Sequence, residues 1–562
     1  MADLPITPRR IADDHVDRLV ALDPMTSTRL GLHPEDQRQP DLSPEGSAAL
    51  AGLDRDTLAA LDALEAPGSA WADPADRACA RLLRERLTAA LAAYDAGDDH
   101  RRLRNIAGPV HQVRDILTLM ATESDEDWAA VAGRLRNVPG ALDGYRATLG
   151  EGLSRGLLSA PRQVAAVIDQ LTAWTGEATG RPGWFTGFAA DGPERLRPEL
   201  DAAALRATAA VAGFRDWLRE TYAPAAAGTP DAVGRERYLR AVRFGTGADL
   251  DVDEAYAWAW GEFHRLRDEM AVEARRVLPG ATPVGAMRHL EEEGHAVKGA
   301  EGIRDWLQRL MDDAIEALDG KHFDIAGPIR RVESRLAPEG SSAAAYYTAP
   351  SLDFSRPGRT HLPTLGRESF PTWQLVSTWY HEGVPGHHLQ LAQWVACADR
   401  LSRYQVTLGK VSANLEGWAL YSERLMDDLG FFAEPAHRLG FLDEQMLRTI
   451  RVIIDIGMHL RLAVPADSGF HPGERWTPEL ATEFMAAFNG SPPEVRTSEI
   501  DRYLGWPGQA IGYKLGERAW LQGREAARRR HGAGFDLKAW HMAALSQGSL
   551  GLDDLADNLA SL

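Results

Sequence analysis

Apolar residues return every three or four positions through most of this 562-residue chain, and a chain so patterned buries its core by packing helix on helix. Ser43 reads as a helix cap with Pro44 at the first helical position, opening an apolar-periodic run to about Leu64. Similar runs are expected at 75–96, 109–121, 125–149, 161–176 and 195–221. A long helix is expected from Val252 to Leu278, with Tyr256, Trp258, Trp260 and Phe263 packed into the core. Ala223–Asp231 and Leu278–Val284, rich in Pro, Gly and Ala, read as linkers. Residues 325–368 break the pattern. Ile329–Leu336 and Ala344–Thr348 carry β-favouring residues, and Pro350, Pro357-Gly358 and Pro363 punctuate the chain after them, so a small sheet is expected there. Beyond Glu368 helices resume to Leu562, and the last, over Ser549–Leu562, offers an apolar face to the body or to a second chain.

A prior of about 150 residues per domain suggests three or four domains, but large helical enzymes often form one body with two lobes around a cleft. We therefore expect a single body, with a mainly helical part over 1–325 and a part holding the sheet and the site helices over 326–562. Asp and Glu outnumber Lys and Arg 81 to 62, and the resulting net charge of −19 disfavours a nucleic-acid partner. Two cysteines, Cys79 and Cys397, make neither a disulfide framework nor a cysteine zinc cluster, which suits a reducing cytoplasm. The start, Met1 to Pro5 followed by Arg9, Arg10, Asp13 and Asp14, has no apolar stretch of the kind a leader needs. Nothing along the chain is expected to span a membrane, and oligomeric state is not legible.

Chemistry concentrates at Trp379-Tyr380-His381-Glu382-Gly383-Val384-Pro385-Gly386-His387-His388-Leu389-Gln390. On one helix, His-Glu-x-x-His stacks two imidazoles four residues apart and leaves the Glu as general base for water at a metal. Here proline stands at 385 and the next histidines are 387 and 388. A regular helix returns to nearly the same face after seven residues, about 700°, which favours His388. Proline breaks that ladder, and a bulge absorbing two residues favours His387 instead. His387 is the preferred second ligand and His388 the alternative. Downstream, Glu416 sits among apolar neighbours in a helical stretch, 29 residues after His387, where an unpartnered carboxylate would be costly. It is the candidate third ligand. Glu423, two turns further along the same face, is placed to orient a ligand from behind.

The stretch His381–Gln390 with Glu416-Gly417-Trp418-Ala419 resembles an uncharacterised bacterial family, the domain of unknown function eight-eight-five. The resemblance runs nearly end to end, through Leu22-Asp23-Pro24, Leu30-Gly31-Leu32-His33, Leu42-Ser43-Pro44-Glu45-Gly46, Tyr347-Thr348-Ala349-Pro350 and Arg356-Pro357-Gly358. It continues through Asp455-Ile456-Gly457-Met458-His459 and Arg502-Tyr503-Leu504-Gly505-Trp506-Pro507-Gly508-Gln509-Ala510. That family is grouped with gluzincin metallopeptidases and is similar in fold to carboxypeptidase Taq enzymes. The resemblance implies a mainly α, two-lobed, zincin-like body around a deep cleft, one zinc per chain, and hydrolysis of peptide bonds by a carboxypeptidase or another peptidase acting on short peptides. It also implies that the lengthened His-Glu spacing belongs to the family.

On this reading His381, His387 and Glu416 hold zinc and Glu382 is the general base. His459 and Tyr513 are candidate oxyanion donors, with Asp455 one turn before His459 to fix its tautomer. Arg356, Arg502 and Lys514 are candidates to grip a substrate carboxylate, and Tyr503 belongs with that group. Tyr347, beside Tyr346, is expected on an edge strand able to pair with an extended peptide. Two other classes remain open: a zinc amidase or esterase on non-peptide substrates, and a metal-free binding protein that keeps the fold.

Overall fold

The computed structural model describes residues 6–64, 73–177, 180–338 and 344–562. Residues 1–5, part of the stretch that carries the expectation of no leader, lie outside them. The chain is mainly helical, 68% helix against 4% strand, so helix packing decides where every functional side chain goes. No described helix is long and apolar enough to cross a membrane.

Two compact units emerge: residues 1–70, 87–233 and 501–506 form the first, and 71–86, 234–500 and 507–562 the second. The division expected at 325/326 falls inside the second unit. In the first, the helix Arg197–Trp217 is central, packed by Asp125–Arg136, Val138–Arg155, Pro161–Thr175 and Trp184–Ala190. The single run expected over 125–149 is two helices, because Pro139 cannot continue the hydrogen-bond ladder of Asp125–Arg136 and instead takes the second position of a new helix that starts at Val138. The start at Pro44 holds, with Ser43 Oγ accepting from the Gly46 amide at 3.1 Å. Part of the expected Ala223–Asp231 linker is helical, since a π turn at Leu218–Tyr222 leads into Ala223–Ala226.

The long helix forms over Val252–Val277, capped by Asp251, and lies along Pro435–Leu460 in the second unit. Trp260 and Phe263 enter an aromatic core with Trp476, Phe484 and Phe488. Trp258 does not; it is half-buried under the Arg518 guanidinium, 4.7 Å away. The sheet has three strands, with Gly358–Leu362 between a parallel Val332–Leu336 and an antiparallel Tyr346–Thr348. Its central strand arises within the Pro- and Gly-punctuated stretch, where burial of Gly358, Thr360 and Leu362 overrides local turn propensity. A separate pair joins Ala296–Lys298 to Ser369–Pro371.

Helix Ser412–Asp428 packs on Gly512–His531 at a distance only glycine permits: a Cβ on Gly417 would lie 2.4 Å from the Gly516 carbonyl carbon. The C-terminal helix, Leu552–Ser561, buries Leu552, Leu555 and Leu559 within the same unit, with Leu559 against Gly523 of Gly512–His531.

Candidate metal centre

The stretch from Leu375 to Ala396 is two helices rather than one bulged helix. Leu375–Glu382 ends at Glu382, and His387–Ala396 begins at His387. The four intervening residues include a cis Val384–Pro385 bond. The Gly386 amide donates to the Tyr380 carbonyl at 3.0 Å, folding the turn back on the first helix. Gly386 has to be glycine there, because a Cβ would lie 1.9 Å from the His381 carbonyl oxygen. From Ser412–Asp428, Trp418 Nε1 donates to the Pro385 and Gly386 carbonyls at 2.9 and 3.2 Å.

This fold-back brings His387 to His381, with ring centroids 4.8 Å apart and nearly perpendicular. One carboxylate oxygen, Glu416 Oε2, lies 3.4 Å from His381 Nε2 and 3.4 Å from His387 Nε2. Two ligand atoms each 2.0–2.1 Å from a tetrahedral metal are separated by about 3.3 Å, so both spacings suit zinc. Glu382 shares the site; its carboxylate and the two imidazoles each place an atom within 4.8 Å of the others. His387 presents Nε2 to Glu416, while its Nδ1 is buried without a hydrogen-bond partner, so its ring lacks the carboxylate that backs His381. The donor set, two imidazoles and a carboxylate with a second carboxylate alongside, fits the metal that the sequence suggested.

Behind His381, Glu423 Oε1 lies 2.6 Å from Nδ1, and Ser377 Oγ donates to Glu423 Oε2 at 2.6 Å. A carboxylate there fixes the imidazole with Nδ1 protonated and Nε2 toward Glu416. Burial lowers the basicity of His381, but Glu416 and Glu423 outweigh it and lift the imidazole to about 9 in the metal-free chain. Burial would raise Glu416, yet the two imidazoles hold it well below the usual carboxylate range. Glu382 goes the other way. Burial pushes its carboxyl above the ordinary value, and the nearby imidazoles only partly offset that.

His388 is turned elsewhere. Its Nε2 donates to the Ile329 carbonyl at 2.6 Å and its Nδ1 accepts from Tyr347 Oη at 2.9 Å, so both ring nitrogens are used. Burial drops its basicity to about 4, which keeps it neutral. Between the two histidines left open by spacing, the structure brings His387 to the site. The small sheet thus acts as a buttress: Tyr347 and Ile329 hold His388, and Ser334 accepts from Trp379 Nε1 at 3.1 Å. Tyr347 serves this packing role instead of facing a substrate, although its strand, Tyr346–Thr348, is an edge as expected. Tyr346 stacks on His361.

Tyr513 lies beside the site, its ring 6.5 Å from that of His381 and nearly parallel. His459 instead sits in a buried knot, Nε2 3.8 Å from Asp455 Oδ1 and its ring 5.3 Å from Tyr238. Asp455 accepts from Tyr238 Oη at 2.6 Å and from the Gly508 amide at 2.9 Å, so this pair braces the core. Lys514 is buried, its Nζ 2.6 Å from Glu517, 2.9 Å from Glu262 and 2.5 Å from Gln445, which removes it as a substrate clamp. Arg356 donates to the Ala349 carbonyl at 2.7 Å and ties its own loop. Arg502 and Tyr503 belong to the first unit, where the Arg502 guanidinium lies 5.1 Å over the buried Tyr503 ring. The arrangement around His381 is built within the second unit.

Two residues escaped the sequence reading. Arg448 and Arg451 place their guanidinium carbons 5.9 and 4.8 Å from the Tyr513 ring centre. Both stand on Pro435–Leu460, a helix buried almost all round from Leu439 to His459. Cations three apart in so apolar a stretch were the available signal, since buried charge needs a partner.

No curated protein sequence matches the chain. A crystal structure of a candidate lipoprotein from Colwellia psychrerythraea is similar over 99% of this chain and 98% of its own, with a TM-score of 0.84 and 20% identity. A candidate lipoprotein of unknown function from Shewanella oneidensis is similar over 99% and 100%, with a TM-score of 0.76 and 17% identity. At those identities the likeness is one of fold. A family model described as a bacterial protein of unknown function (DUF885) matches residues 24–559, nearly the whole described chain, and the protein belongs to that family.

Proposed function

We propose that this protein is a zinc-dependent hydrolase that cleaves peptide bonds in short substrates. The observation that carries the reading is the single Glu416 oxygen set 3.4 Å from both His381 Nε2 and His387 Nε2, with Glu423 fixing His381 from behind. Zinc held there would act as a Lewis acid toward a carbonyl and make water more acidic. His381, His387 and Glu416 are the proposed ligands. Glu382, a carboxyl raised by burial, is the proposed general base: it takes a proton from the attacking water at its own oxygen and returns it to the leaving amine. Tyr513 lines the same space and is the proposed donor to the developing oxyanion. The gluzincin grouping, a two-lobed body with a deep cleft and a cytoplasmic location belong to this proposal too. The name lipoprotein is that of the two similar structures.

The test is metal content of the purified chain by mass spectrometry, beside His381→Ala and Glu416→Ala, with peptide hydrolysis followed in parallel. About one zinc per chain, lost in both variants, and cleavage lost in zinc-loaded Glu382→Gln would support the reading. Wild-type protein that takes up no zinc at neutral pH would sink it.

A further inference from the structure

Building on the proposed hydrolase, we infer that Arg448 and Arg451 recognise the C-terminal carboxylate of the substrate, making the enzyme a carboxypeptidase. Tyr513 is the geometric link, since its ring faces His381 on one side and both guanidiniums lie close to it. Those ring-centred distances bound the gap between the His381 ring and either guanidinium at about 12 Å. A separation within that limit is one that a single extended residue with polar contacts at its two ends can bridge.

The charges already present leave this pair a task. Glu423 takes its hydrogen bonds from His381 and Ser377, and Glu416 is held by the two imidazoles. Arg448 pairs with Glu444 on its own helix and donates to the Glu444 carbonyl at 3.3 Å. Its Nε is buried and has no hydrogen-bond partner. A buried donor on a cation without an acceptor is unfavourable, and a substrate carboxylate entering the site would supply one. Arg451 is steadied by Glu499, at 2.8 and 3.1 Å, so its plane is fixed over Tyr513 before any substrate arrives. Arg356, Arg502 and Lys514 are committed to other contacts, and the role expected of them passes to this pair.

Binding to the full-length Glu382→Gln chain, which leaves the probes uncleaved, tests the assignment by calorimetry. The probes are N-acetyl-Ala-Ala with a free carboxylate, its C-terminal amide, and N-acetyl-Ala-Glu amide, whose only carboxylate is on a side chain. The free acid is expected to bind roughly 10- to 150-fold tighter than either amide, the range set by a hydrogen bond to a charged group. Adding Arg448→Gln should collapse that preference, and Arg448→Lys should keep part of it. Equal binding of acid and amide overturns the inference, and so does a side-chain carboxylate that binds as well as the C-terminal one. The acid-to-amide comparison needs no altered arginine, so a misfolded variant would not shield the idea. Zinc content, measured on the same preparations, judges the hydrolase reading separately.

Discussion

At His381 each ring nitrogen faces a carboxylate, so without metal the imidazole is held as a cation. Its basicity in the fold, about 9, lies above the ordinary 6.5, so the stabilisation is complete below about pH 6.5 and is lost as pH rises through about 9. Glu416, held low, adds stabilisation that is present above about pH 4.5 and lost on acidification. Melts of metal-free protein should therefore show a temperature that falls between pH 6.5 and 9. Glu423→Gln should flatten that fall, and an equal slope in both proteins would refute the assignment. With metal present, the same substitution should weaken zinc binding about 10- to 100-fold in chelator competition, because the carboxylate behind the ligand is gone. His381, Glu382, Glu416 and Glu423 were visible in the sequence because a His-Glu pair, a Gly-His-His and two acids two turns apart in an apolar helical stretch coincide there, whereas the Asp455/His459 pair alone, at helical spacing, marked only a core brace. Arg448 and Arg451 were hidden, since their meaning depends on Tyr513, more than 60 positions away, arriving beside them.

The break between the two histidine helices is the element on which the site depends. Proline at 385 announced a disruption, but no local rule says whether a helix bulges or stops, and the deciding contacts are distant. Trp418 reaches across from Ser412–Asp428 to two carbonyls of the turn, so Trp418→Phe leaves them without that donor. A loss of about 1–3 kcal/mol in denaturant unfolding is expected. Gly386→Ala should do more harm to the site than to the fold. The added methyl meets the His381 carbonyl, costs about 1–3 kcal/mol by overpacking, and moves His387 off Glu416. A variant that binds zinc like wild type would show that the turn tolerates displacement.

The helical character of the chain and the position of the small sheet were legible from periodicity and β-favouring runs. The partition of the chain was not, because it reflects packing between segments far apart in sequence. The second unit draws on residues 71–86 and 507–562 as well as its main stretch. Its last segment supplies Tyr513 and the helix that seats Ser412–Asp428 by the Gly417–Gly516 approach. A chain ending at residue 506 should therefore lose zinc along with part of its helical circular dichroism. Leu559→Ala, by contrast, should keep the fold and cost about 2–5 kcal/mol, the penalty of a cavity under the C-terminal helix. The stop-and-restart between Glu382 and His387 also bears on how such proteins are found. The separation of the two imidazoles here is set by a turn, not by helical pitch, so a genome search keyed to the four-residue interval passes over every chain built this way. A search keyed to His-Glu, a glycine-flanked turn and then His would recover them, and the length of that turn would become a variable for sorting the chains it finds.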